Sequence, residues 1–288
     1  MKRQEERTAL LFIAPNFIGF FIFFVLPLVF AFYLSFNRWD MLSPAQWRGL
    51  QNYVQLLGSD TFWLSLTNNL VFAAITVPVC VVVSLVVANG LNKDVVGRDV
   101  LRTIYFLPYI TTITAVAAVW IWIYHPTGPI NSVLGAVGFK EPPVWLLRRW
   151  TVIPALASIN AWRGIGYATL IYLAALQGIP DELYESAKID GAGSTRVFLS
   201  ITVPLLAPTT FFIAVVRTIQ AFKSFDLIWA VTQGGPGRQS YMLVYYVYTR
   251  AFTDFRMGSA SAIAIVLLLI VFTITALQWK GQKRWARA

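Results

Sequence analysis

LLFIAPNFIGFFIFFVLPLVFAFYLSF, residues 10–36, carries no charged side chain. A membrane-spanning helix needs about 20 mostly apolar residues, and this run exceeds that. It is too long for the apolar core of a secretory leader, and no small-residue cleavage site follows it. The segment therefore reads as a permanent span, and the rest of the composition agrees. The chain of 288 residues is 57% hydrophobic and only 12% charged. Soluble domains carry about 25% charged residues, so lipid is the solvent this sequence is written for.

Five further runs match in length: 70–88, 104–124, 152–176, 205–231 and 260–278. The expected architecture is an all-α integral membrane protein of six transmembrane helices. Residues 1–9 form a cytoplasmic N-terminus, 10–279 one transmembrane domain with a loop at 177–204, and 280–288 a basic tail. The net charge of +10 raises nucleic acid as a partner. The basic residues sit at the ends of apolar runs instead, which is the pattern of membrane flanks. Counting Lys and Arg in the connecting segments gives twelve on one side: Lys2, Arg3, Arg7, Lys93, Arg98, Arg102, Lys188, Arg196, Lys280, Lys283, Arg284 and Arg287. The other side holds eight in longer segments. By the positive-inside rule both termini are cytoplasmic.

Cys80 and His125 are the only cysteine and histidine. That excludes an intrachain disulfide and makes a cysteine or histidine metal site improbable. Cys80 reads as core filler and His125 as a turn residue ahead of Pro126. Trp120, Trp122 and Tyr124 read as an interfacial belt. No Gly-x-x-x-x-Gly-Lys-Ser/Thr loop occurs, so any ATP chemistry belongs to other chains. The chain is expected to bind no cofactor and to catalyse no reaction.

One stretch is out of character: ELYESAKIDGAG, 182–193, which the orientation puts in the cytoplasm. Pro180, Asp181 and Glu182 start a helix, with acids placed to oppose the helix dipole. Glu185 and Lys188 are spaced to pair. Gly191 and Gly193 end the helix, and Ser194 is positioned to cap a second one. A short amphipathic helix held between two spans suits docking into a partner's groove or lying on the membrane surface.

Glu185-Ser186-Ala187, Asp190-Gly191-Ala192 and Ile201-Thr202-Val203-Pro204 resemble the cytoplasmic signature of binding-protein-dependent ABC importer permeases. That family has Glu-Ala-Ala, a glycine four residues after the second alanine, and a later Ile-x-Leu-Pro. This chain departs from it at Ser186 and Val203. WRGLQNYVQLL (47–57) and FKSFDLIWAVTQGGPG (222–237) resemble segments of the sugar-uptake branch, that of maltose and glycerol-phosphate importers. The resemblance implies a coupling helix seated in a cytoplasmic ATPase, with Glu185, Ser186, Ala187, Asp190, Gly191, Ala192 and Pro204 as coupling residues. It also implies a second permease, two ATPase subunits that bind ATP and Mg, and an extracytoplasmic solute-binding protein. The location it implies is a prokaryotic cell membrane.

Charged residues inside a span are costly and default to function. Asn160, Arg163, Gly164 and Tyr167 follow i, i+3, i+4, i+7 spacing on one helix face. Arg217, Gln220 and Ser224 share another. Both faces read as lining a water-filled substrate path. In the resembling family Asn160, Gly164 and Tyr167 match sugar-holding positions. Arg163, Arg217 and Gln220 match lining positions but differ in type. The arginines fit an anionic substrate, or structural pairing with helix-end carbonyls or the second permease. A secondary transporter is the alternative, but no inverted repeat and no deeply placed carboxylate supports it.

Overall fold

The computed structural model describes residues 2–92 and 97–285. Met1, Lys93 and residues 286–288, on which parts of the expected termini and the orientation count fall, lie outside these. In chain order the helices begin with α1 (Lys2–Phe20), α2 (Leu26–Ser35), α3 (Gln51–Leu57), α4 (Asp60–Leu91), α5 (Arg98–Ile110), α6 (Ile113–Ile123), α7 (Pro129–Ala136) and α8 (Arg149–Leu176). They continue with α9 (Asp181–Ile189), α10 (Ser194–Val197), α11 (Val203–Leu205), α12 (Ala207–Phe222), α13 (Asp226–Val231), α14 (Leu243–Tyr248) and α15 (Met257–Trp285). Wide π turns join α1 to α2 and α10 to α11, and a third follows α14.

Among the described residues, three helical segments are long and apolar enough to cross a membrane: Phe12–Ser35, Asp60–Leu91 and Met257–Gly281. There are five if each of two bent pairs counts as one span. The α5–α6 pair bends by 98° and the Ser194–Leu205/α12 pair by 66°. Continuous helices expected over 104–124 and 205–231 are thereby corrected. Thr111 and Thr112 adopt extended backbone. The Thr111 N–H and hydroxyl both donate to the Leu107 carbonyl and close the end of α5. After Phe222 the helix stops at Lys223 and restarts only at Asp226.

One compact unit holds the described residues up to Phe62 together with Tyr246–Leu269. Phe12, Phe17, Phe23 and Phe24 are largely exposed within it, so lipid or another chain must cover them. The last carbonyls of α2 lack intrahelical donors. Asn52 solves this: its buried side chain donates to Ser35 O (2.8 Å) and Asn37 O (2.9 Å). Tyr53 adds a bond to the Ser35 hydroxyl, and Phe36 lies 5.6 Å from the rings of both Trp47 and Tyr53. These contacts explain the Asn-Tyr pair in WRGLQNYVQLL. Gly258 starts α15 so close to the Asn37 carbonyl that a methyl group there would overlap it.

The second unit holds Trp63–Tyr245 and the described residues from Ile270 onward. Its axis is α8, buried along most of its length from Val152 to Leu176. Phe72, Leu156, Ile159, Leu227, Ile228 and Met242 form one apolar cluster around it. Cys80, Ala88, Ala168, Tyr172, Leu176 and Ile213 form another. α5 packs along α8, and Gly166 makes the crossing possible because the Tyr105 carbonyl takes the space a Cβ would need. The segment after α13 is pinned by two adjacent α4 amides. Asn68 donates to the carbonyls of Gln239 (2.8 Å) and Tyr241 (2.9 Å), while Asn69 accepts from Leu243 N–H (2.8 Å). Trp120 and Tyr124 pack inward with Trp162 and Trp145, leaving only Trp122 of the expected belt largely exposed.

Candidate functional site

α8 misses the apolarity that marks the three long spans because of the residues on one of its faces. Asn160, Arg163 and Gly164 point at α12 and, with Arg217, Gln220, Ser224, Lys223, Asp226 and Tyr109, line a cavity of about 460 Å³. Solute pockets of about 300–1,000 Å³ hold drug-sized ligands, so this one suits a single sugar-sized molecule. Five of the six residues expected on the substrate path meet here. Tyr167 does not line the cavity. Its ring stacks on Tyr109, with centroids 4.9 Å apart, and Tyr109 forms the wall.

Arg217 is only 4% exposed, and both its terminal nitrogens are held by its own chain. Nη1 donates to Gln220 Oε1 at 2.6 Å, and Nη2 donates to Asn160 O at 3.0 Å and Oδ1 at 2.8 Å. Its guanidinium lies flat against Gly164, where any side chain would collide with it. The close approach that a glycine permits is therefore made by an arginine of the neighbouring helix. The carbonyl that Arg217 meets lies in the middle of α8, not at a helix end, and the bond is made within this chain. Its Nε and the Ser224 hydroxyl are buried with no hydrogen-bond partner among the described residues. Arg163 faces Asp226 at 3.8 Å, a separation well beyond a tight charge-assisted bond. Tyr109 gave no signal in the sequence, since only the packing of α5 along α8 brings it here.

The polar loop is a second candidate. α9 runs Asp181–Ile189, and its end is a complete Schellman closure. Gly191 N–H bonds Lys188 O (3.0 Å), and Ala192 N–H reaches back to Ala187 O (2.9 Å). Gly191 sits at φ +73°, where a side chain would be strained. Ala187 is buried, while Glu185, Ser186 and Asp190 are exposed. Ile189, at 86% exposure, is a large apolar side chain left open on α9. Pro204 sits in the single turn of α11, and the Tyr184 hydroxyl lies 3.3 Å from Thr202 Oγ1, tying α9 to the π turn just before it. Two local expectations fail. Glu185 and Lys188 form no ion pair, both being solvated. Ser194 is the first helical residue of α10, not its cap, and Gly193 takes the cap position.

The sequence profile of the family described as "Binding-protein-dependent transport system inner membrane component" matches residues 80–280. The Bacillus subtilis protein described as "Probable ABC transporter permease protein YurN" is 35% identical over 97% of each chain. The sn-glycerol-3-phosphate transport system permease protein UgpA of Agrobacterium fabrum is 35% identical over 94% of this chain and 92% of its own. Among solved structures, a chain of the bacterial alginate ABC transporter in complex with an alginate pentasaccharide-bound periplasmic protein superposes with a TM-score of 0.84. It covers 100% of this chain and 99% of its own at 23% identity, which speaks to the fold.

Proposed function

The chain belongs to the inner membrane components of binding-protein-dependent transport systems, and from that premise we propose that it forms half of the translocation path of an ATP-driven importer for sugars or related polyols. A second, homologous permease supplies the other half. Two cytoplasmic ATPases drive it, and an extracytoplasmic solute-binding protein delivers the solute. ATP and Mg²⁺ belong to the ATPases. This chain transmits their motion and does no chemistry of its own.

Six crossings follow if α8 and each bent pair count as one span beside the three apolar helices. α8 has the length for it, and a helix enclosed by its neighbours needs little apolar surface of its own. The Lys and Arg bias then puts both termini and α9 in the cytoplasm. The single observation that carries the reading is the closed loop from Pro180 to Pro204. Its bend is fixed by the Schellman bonds and its tail by Tyr184, so a push on Glu185 or Ile189 reaches α12 instead of being absorbed. ATP binding draws two such loops together and turns the cavity from inward-facing to outward-facing.

Uptake tests this. Glu185→Arg reverses a charge on the exposed face of α9. Gly191→Pro imposes φ near −65° where the bend needs +73°. Both variants are expected to insert and to lose ATP-driven uptake. Wild-type uptake by both would rule out the docking role. Comparing cells with and without the chain, on neutral oligosaccharides and phosphorylated polyols in parallel, identifies the solute class.

A further inference from the structure

We propose that the cavity between α8 and α12 is an anion site, built for the phosphate or carboxylate of a small solute and not for a neutral sugar. The inference rests on the reading of this cavity as the solute path, and deepens it. Its wall carries three cations, Arg163, Arg217 and Lys223, against one carboxylate, Asp226. Arg163 and Asp226 are 3.8 Å apart and loosely matched, which leaves two positive charges with no counterion among the described residues.

Arg217 makes the argument specific. A buried guanidinium ordinarily has a carboxylate beside it, because desolvation of an uncompensated charge is expensive. Here its oxygen acceptors, Gln220 Oε1, Asn160 O and Asn160 Oδ1, are neutral, and the buried Cys80 thiol lies beside it with no carboxylate. Its Nε has none, and neither does the Ser224 hydroxyl, although both residues are only 4% exposed. Neutral amides hold the guanidinium in place and leave its charge uncancelled. Such a group is preorganised for an anion that comes and goes. A neutral hexose could accept hydrogen bonds from the same donors but would leave the charge excess as it was. An anion would cancel it, and Arg163 could exchange Asp226 for the incoming group with little loss.

The test reads the electric field of the cavity directly. Ile219→Cys puts a thiol on the cavity wall, while the fully buried Cys80 stays in place beside Arg217 and the parent chain serves as the labelling control. The full chain, co-expressed with its partner subunits in cell membranes, is labelled with two methanethiosulfonates of similar size, one carrying a sulfonate and one a trimethylammonium. Corrected for their rates with a free thiol, the anionic reagent is expected to react about tenfold faster or more. Arg217→Gln should abolish that preference. Lys223→Gln, an exposed change with little folding risk, should reduce it. Glucose 1-phosphate and glucuronate should slow labelling at concentrations where glucose, at matched ionic strength, does not.

The outcomes separate. No labelling by either reagent means that the cavity is closed to water, and the solute path itself is misassigned. Labelling without charge preference leaves the path standing and overturns the anion site, because a carboxylate of the second permease already neutralises it. A charge preference with equal protection by glucose and glucuronate also overturns it, since the solute is then recognised without regard to charge.

Discussion

Gly164→Ala is the most informative single substitution, because two effects of opposite sign meet in one methyl group. In a helix interior alanine is favoured over glycine by about 1 kcal/mol. The new Cβ, however, would fall within the Arg217 guanidinium, 2.8 Å from Nη1 and closer still to Cζ and Nη2. The guanidinium is the end of a flexible arm, so moving it aside is cheap in itself. The cost lies in what it leaves behind. Nη2 gives up two charge-assisted bonds to Asn160, at 3.0 and 2.8 Å, and each such bond contributes about 1.5–3 kcal/mol. The two share one nitrogen and the freed arm regains some solvation in the cavity, so a combined loss of about 2–4 kcal/mol is reasonable. After the helix term the net destabilisation is about 1–3 kcal/mol. The measurement is unfolding of the purified chain by SDS titration in mixed micelles, repeated in an Arg217→Ser background. There the clash is absent and Gly164→Ala should be neutral or stabilising by up to about 1 kcal/mol. Equal destabilisation in both backgrounds, or stabilisation of the wild type, would show that Gly164 does not make room for Arg217.

Other perturbations probe the remaining contacts. Asn52→Leu strands the Ser35 and Asn37 carbonyls and should cost about 2 kcal/mol or more in the same titration, with an unchanged result counting against the cap. Gly191→Ala forces a side chain into the left-handed region at a cost of about 1–2 kcal/mol, and should weaken uptake without reducing insertion. Tyr167→Ala removes the ring behind Tyr109 and should weaken uptake while the assembled complex survives copurification; dissociation would make Tyr167 a subunit contact. Asp40 lies in a solvated turn where the Ser43 N–H and hydroxyl and the Leu42 N–H hold its carboxyl down to about 2. Its folded value lies below the unfolded one, so the turn's stabilisation is present in full above pH 4 and lost as pH falls through about 2. Pepsin cleavage near Met41–Leu42, normalised to cleavage of an unstructured reference peptide at each pH, should be faster at pH 2 than at pH 4, and a flat normalised profile would refute the turn's dependence on the carboxylate.

Apolar run length located helices well and their ends poorly. The run 70–88 lies inside α4, which begins ten residues earlier at Asp60. The added turns hold Asn68 and Asn69, polar in sequence but satisfied by the backbone of 239–243, which only tertiary structure brings near. The break at Thr111–Thr112 left no trace in hydropathy because the residues on both sides are apolar, whereas Lys223, Ser224 and Asp226 did mark the second break and were absorbed into one long run. Helical periodicity did better at the candidate site. It put Asn160, Arg163 and Gly164 on one wall and Arg217, Gln220 and Ser224 on another, and these residues do share a cavity. It extended the first wall one step too far to Tyr167, where the ring of Tyr109 intervenes. The bend at Gly191 was legible for a stronger reason. A glycine after an amphipathic turn is a local signal, and a Schellman closure needs nothing from elsewhere in the chain.

The enclosure of α8 bears on biosynthesis. An arginine near the middle of a helix adds about 2.5–3.5 kcal/mol to the cost of entering lipid from the translocon. Arg163 and Asn160 lose that penalty only when Asp226 and Arg217 stand beside them, and both lie further along the chain. On the proposed six-span reading, a nascent chain that has reached Leu176 therefore carries a span whose Arg163 and Asn160 still lack these partners. Insertion must wait for α12, or be chaperoned, so premature termination between these helices should yield a product that quality-control proteases remove.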